Sequence, residues 1–165
     1  MTIPFSQMPP NAKVWIYASD KIINASQLET IHQMSVPFIQ NWTAHQNQLK
    51  AEFAVLYNCF LVFMVDEGFN EISGCGIDKS VKLVKEIEQA TGLNLFDRLK
   101  IQLLENQNIH IYSKAEAVKK IENNELSTGA QTFNNQVNVK SQFEAEWIID
   151  LEKAWFYPKT KLQSV

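Results

Sequence analysis

Leu49-Lys50-Ala51-Glu52-Phe53-Ala54-Val55-Leu56-Tyr57-Asn58-Cys59-Phe60-Leu61-Val62-Phe63-Met64-Val65-Asp66 is the stretch on which the fold turns. Its first half alternates. Ala51, Phe53, Val55 and Tyr57 face one way and Lys50, Glu52, Ala54 and Leu56 the other, the pattern of a half-buried antiparallel strand. Its second half, Phe60 to Asp66, is apolar on both faces until it ends, which predicts a central strand. Between them Tyr57-Asn58-Cys59-Phe60 reads as a tight turn, because asparagine tolerates the left-handed backbone that such turns demand. A hairpin of strands over 49–58 and 59–66 follows.

Upstream, Val14-Trp15-Ile16-Tyr17 gives Lys13 to Ser19 the aromatic and β-branched content of a strand. Pro9-Pro10 leaves residues 1–12 as an irregular arm. Ser26-Gln27-Leu28-Glu29 has the form of a capping box, and Leu28, Ile31, Phe38, Ile39 and Trp42 recur at helical spacing. A helix from Ser26 to Trp42 is predicted, kinked or split at Pro37. Downstream of the hairpin, a loop from Glu67 to Gly76 leads into a helix striped by Ile77, Val81, Val84 and Ile87. Asp78 or Ser80 is its expected N-cap and Gly92 its C′ residue.

Two strands follow, Leu99 to Leu104 and Ile109 to Tyr112, joined by Glu105-Asn106-Gln107-Asn108. Further S-x-x-E boxes at Ser113–Glu116 and Ser141–Glu144 mark later helices, with a weak extended piece at Gln131 to Phe133. The order β-α-β-β-α-β is that of the split βαβ, or ferredoxin-like, arrangement. The fold class is therefore α+β: an antiparallel or mixed sheet with helices packed on one face, plus an extra strand and C-terminal helices. No repeat or linker divides residues 1–165, so a single domain is expected. Such a layout hosts many functions and selects none.

Composition excludes more than it identifies. Hydrophobic residues make up 45% of the 165 and charged ones 20%, with a net charge of -3. No global field attracts nucleic acid or an anionic membrane, and Lys79, Lys82 and Lys85 are followed at once by Glu86 and Glu88. No apolar run reaches the 18 or so residues of a spanning helix, and Met1 to Asn11 lacks the features of a signal peptide, so a cytoplasmic location is expected. Cys59 and Cys75 are then reduced thiols, and with His32, His45 and His110 scattered they match no zinc spacing. No cofactor or metal is implied.

Ser73-Gly74-Cys75-Gly76-Ile77-Asp78 carries the chemical interest. A helix N-terminus offers free N–H groups and a positive dipole end, which favour an anion or a thiolate. Cys75 is the candidate nucleophile, with His45 as a base brought near by the fold. The competing reading makes Cys75 a small apolar filler in a tight turn. Lys79-Ser80 is no Walker A ending, since Ser73 and Asp78 stand where that motif needs glycine, and Lys79 likewise removes the third glycine of G-x-G-x-x-G.

Asp66 and Glu67 end the central strand as either cleft carboxylates or a solvated strand end, and with Asp78 they form a weaker candidate metal site. Arg98 either pairs with Asp97 or clamps an anion. Trp42, Trp147 and Trp155 read as core, with Trp155-Phe156-Tyr157 as the alternative of an exposed docking patch, and Asn134-Asn135 as a turn. The expected function is a small-ligand or protein-partner binding module with a pocket near Ser73–Asp78, using Ser73, Gly74, Gly76, Asp78, Trp42, Asp66 and Arg98. The alternative is a thiol-dependent enzyme using Cys75 and His45.

Trp42-Thr43-Ala44-His45, Tyr57-Asn58 with Phe60-Leu61, Val65-Asp66-Glu67, Ser73 to Asp78, Phe96-Asp97-Arg98 and Phe133-Asn134-Asn135 together resemble a family of short bacterial proteins of unassigned function. Some of its members carry the label ABC transporter ATPase. The resemblance runs from about Val14 to Trp155. It implies no catalytic or binding residue, and the label asks for a Walker A loop that this chain lacks. Gly76 stands where the family has serine.

Overall fold

The computed structural model describes residues 4–44, 47–68 and 74–162. Strand β1 (Lys13–Ala18) leads to helix α1 (Ala25–Asn41), a short ribbon β2 (Thr43–Ala44) and β3 (Asn47–Gln48), then the hairpin β4 (Lys50–Leu56) and β5 (Phe60–Asp66). Helix α2 (Gly74–Thr91), strands β6 (Lys100–Glu105) and β7 (Asn108–Ser113), helix α3 (Lys114–Glu122), β8 (Gln131–Phe133), α4 (Lys140–Glu146), β9 (Ile148–Asp150) and the short α5 (Lys159–Leu162) complete it.

The hairpin forms as its alternation requires. Tyr57 and Asn58 both take positive φ (54° and 49°), and the Cys59 N–H returns to the Leu56 carbonyl at 3.0 Å. β5 is central, flanked by β1 and β4 in antiparallel register, and every residue from Phe60 to Val65 is buried. β4 departs from the half-buried expectation, because both of its faces are covered. Phe53 and Val55 meet the helices, while Ala54 and Leu56 meet the opposite core.

Order 1-3-2 for the first three main strands is that of a split βαβ. The ferredoxin-like closure is not made: β6 does not join β1 but starts a second sheet, β7-β6-β8-β9. α1 and α2 lie on one face of the first sheet, against Trp15, Tyr17, Leu61 and Phe63. Its other face, with Val14, Phe60, Val62 and Met64, packs on Ile109, Ile111, Phe133, Trp147 and Ile148 around the second sheet. α3 covers the far side through Ala117 and Ile121, against Ile101 and Leu103. Two antiparallel sheets thus stack between helical layers. Gln102, buried in β6, donates to the Ser19 carbonyl at 3.2 Å and ties one sheet to the other.

Local signals explain the shifted boundaries. α1 starts at an Asn24/Gln27 capping box, two residues before the expected Ser26/Glu29 pair, because Asn24 Oδ1 accepts from the Gln27 N–H and the Gln27 side chain returns to the Asn24 N–H. Pro37 lies inside one continuous helix and does not split it. The Ser113/Glu116 box forms as read, whereas α4 begins at Lys140 with no side-chain cap, so Ser141 is an interior residue. α2 begins at Gly74, which puts Asp78 and Ser80 inside the helix and not at its cap. Gly92 ends it with φ 75° and its N–H on the Glu88 carbonyl. The N-terminal arm is irregular but not loose: Phe5 and Met8 are buried in the core between the sheets.

Candidate functional site

One corner of the molecule gathers several of the residues singled out from the sequence. Trp42, just past α1, is only 1% exposed. Its ring stands 4.9 Å from Phe38, 6.2 Å from Trp15 and 6.4 Å from Phe63. The indole Nε1–H donates to the Gly76 carbonyl at 2.9 Å, fixing the first turn of α2 against the end of α1. The Trp42 carbonyl in turn accepts from the Leu49 N–H at 2.8 Å, closing the base of the β2–β3 ribbon. Lys79, one turn further along α2, reaches the Thr43 carbonyl and hydroxyl at 3.4 and 3.2 Å.

β5 delivers Asp66 to the same end. Val65 packs with Trp42 and Leu49, and the Asp66 Oδ1 accepts from the Gly68 N–H at 2.8 Å, which makes it a turn-forming carboxylate. Asp78 is exposed on the first turns of α2, and the backbones of Gly74 and Cys75 lie in the opening turn. Trp42, Gly76, Lys79, Asp66 and Asp78 thus share one end of the sheet. His45 and Ser73 lie outside the described residues.

Arg98 does not belong there. It follows the far end of α2, a helix about 27 Å long at 1.5 Å per residue. Nearby Phe96 packs on Tyr17 at 5.4 Å, and Asn94 bonds Asp20, both at the hairpin end. The expected Asp97–Arg98 ion pair is not among those of the described residues; Asp97 instead accepts from the Leu99 N–H at 2.8 Å. Among the described residues no three His, Cys, Asp or Glu side chains converge to hold a metal ion, so Asp66, Glu67 and Asp78 make no such cluster. Trp155 is not core: it is 71% exposed, with the Lys114 Nζ 5.2 Å from its ring centre, while Phe156 beside it is buried. Trp147 is core, and Asn135 of the expected turn accepts from its indole N–H at 2.9 Å.

Cys59 lies at the turn that opens β5. Cys59 is fully buried, and burial, with the Asp20 carboxylate nearby, pushes its thiol up to about 12. Partial burial likewise raises half-buried Tyr17, against the lowering effect of its hydrogen bond with Ser80.

Two surface hollows were not legible in the sequence. One of about 420 Å³ lies between the end of α3 and the C-terminal segment, beside Lys120, Asn124, Ser127, Asp150, Tyr157 and Lys161. The other, of about 430 Å³, lies beside Lys85, Glu88 and Asn94 near the end of α2. The first is built by two stretches, 120–130 and 150–161, that meet only in the fold, so neither announces it alone.

Two carboxylates carry an acid-sensitive part of the stability. Burial raises Asp20, but the Asn94 backbone and side-chain amides at 2.9 and 2.8 Å, helped by Lys21, outweigh it and hold the carboxyl below its usual value. Burial likewise raises Glu105, and the Ser127 N–H and hydroxyl, both at 2.9 Å, reverse it. A depressed folded pKa contributes stability that is full above the unfolded value, near 4, and is lost as pH falls through the folded value. The Asp20→Asn, Glu105→Gln double variant is therefore expected to lose less stability than wild type between pH 7 and pH 3 in urea titrations. Equal losses would remove both groups from the account.

Among the described residues no helix is long and apolar enough to cross a membrane. No family model, curated protein or solved structure matches the chain.

Proposed function

We propose that the chain is a binding module for a small ligand or a protein partner, with its site at the corner of the β2–β3 ribbon and the first turns of α2. The observation that carries this reading is the Trp42–Gly76 hydrogen bond. A buried indole holds a helix start rigidly beside the β2–β3 ribbon, and Lys79 on Thr43 ties the two again. Rigid support beneath an exposed loop is how binding positions are preorganised. Lys79 and the positive dipole end of α2 favour an anionic group. Kinship with the resembled bacterial family and a cytoplasmic setting belong to the same proposal and assign no residue a role.

Protein-observed NMR with a fragment library weighted toward small carboxylates and phosphates tests it. The Trp42 indole N–H and the first turns of α2 are the expected reporters, and Lys79→Ala is expected to weaken the shifts several-fold. Shifts confined to the hollow beside Lys161, or none at all, would overturn it.

The second reading is a thiol-dependent enzyme, favoured by the place of Cys75 in the opening turn of α2. Iodoacetamide labelling separates the two. Cys59, buried and with its thiol raised, is expected to stay unlabelled until the protein unfolds, so any native labelling reports Cys75. Rapid labelling near neutral pH would favour the enzyme; none would deprive it of a nucleophile.

A further inference from the structure

We propose that β7 pairs antiparallel with β7 of a second copy of this chain across a two-fold axis, with His110 opposite its own counterpart. β7 is an edge strand, and among the described residues it pairs with β6 alone. The parity of its backbone follows from the turn. Glu105 faces Asn108 across Asn106 and Gln107, both at positive φ (49° and 68°). In such a two-residue hairpin the flanking pair exchanges both hydrogen bonds. Asn108, His110 and Tyr112 therefore bond toward β6, and Ile109, Ile111 and Ser113 turn their N–H and C=O groups outward. The Ser113 N–H is already taken by Glu116 Oε1 at 3.3 Å, as an outward group allows.

That leaves Ile109 and Ile111, and one register uses both. Ile109 opposite Ile111 of the copy, and the reverse, makes four N–H···O=C bonds about an axis at the His110 pair. Moving the axis toward Ser113 would need its engaged N–H, and moving it the other way would set Ile111 against Gln107 in the turn.

The sequence of the strand points to a second copy. Asn108-Ile109-His110-Ile111-Tyr112-Ser113 carries no Lys, Arg, Asp, Glu or Pro and its register holds no bulge, so it meets itself without like-charge repulsion and without the usual edge protection. The other edges are blunted. β1 is bridged to Val139, β4 carries Lys50 and Glu52, and β9 is three residues long. Ile109 and Ile111 are only half-buried at the margin of the core between the sheets, so pairing extends that apolar layer into the copy.

Sedimentation equilibrium of the full chain tests this. Wild type is expected to show a reversible dimer of twice 19.0 kDa. The His110 side chain is exposed, so His110→Glu and His110→Lys leave the monomer folded by circular dichroism. Each is expected to raise the dimer dissociation constant about tenfold or more, through like charges facing at the axis. An equimolar mixture of the two is expected to recover association. A wild-type monomer at the highest soluble concentration, a dimer indifferent to both variants, or a mixture that fails to recover would overturn the proposal.

Discussion

Trp42→Ala is expected to destabilise the protein by about 3–5 kcal/mol, the range for truncating a large buried aromatic side chain. Against the roughly 5–15 kcal/mol that holds a typical domain together, that is a large share. Trp42 sits among Trp15, Phe38, Phe63 and Val65, so its removal leaves a void between the helical layer and the first sheet. Trp42→Phe separates the two contributions. It keeps most of the ring contact but removes the donor to Gly76, at an expected cost of about 1 kcal/mol for the hydrogen bond plus the smaller loss of volume. Urea unfolding of both variants measures this. Equal losses would assign the whole effect to the hydrogen bond.

Pro37→Ala is expected to act in the opposite sense. Pro37 is exposed and lies inside α1, where it supplies no N–H to the preceding turn. A proline in a helix interior costs about 3 kcal/mol relative to alanine, and part of that returns because proline also restricts the unfolded chain. A net gain of about 2 kcal/mol is expected, seen as a higher urea midpoint with unchanged slope. The Asn41 side-chain bond to the Pro37 carbonyl uses only backbone at position 37 and survives the change. A loss of stability would mean that the ring itself supports the helix.

Short-range patterns carried most of the element reading. The alternation of Ala51, Phe53 and Val55, the run Phe60–Val65 and the Ser113/Glu116 box each act within a few residues, and each forms where the pattern puts it. Partner choice was not legible. β6 has the same apolar content whether it joins β1 or opens a second sheet, and what decides is the cover supplied by Phe133, Trp147 and Ile148 from much later in the chain. β9 is too short to announce itself, and S-x-x-E at Ser141 looks like a cap although the helix has already begun.

Site reading divides in the same way. Trp42, Gly76, Asp66 and Asp78 share an end because α1, β5 and α2 all begin or stop there. Arg98 was grouped with them only by residue type, and the length of α2 removes it. The indole bond to Gly76 spans 34 residues and has no local signature.

The way the two sheets are divided along the chain has a consequence during synthesis. By the time Asp66 leaves the ribosome, all three strands of the first sheet have been made, and the later α2 completes the helical cover of one face. The other face, with Phe60, Val62 and Met64, has only Phe5, Met8 and Ala12 to shield it until Ile109 and Ile111 emerge, and its cover is complete only once Phe133 and Trp147 follow. A nascent chain halted before residue 133 would therefore present an incompletely covered apolar face to its surroundings. Variants that slow translation of the second half should depend more heavily on chaperones than those that slow the first.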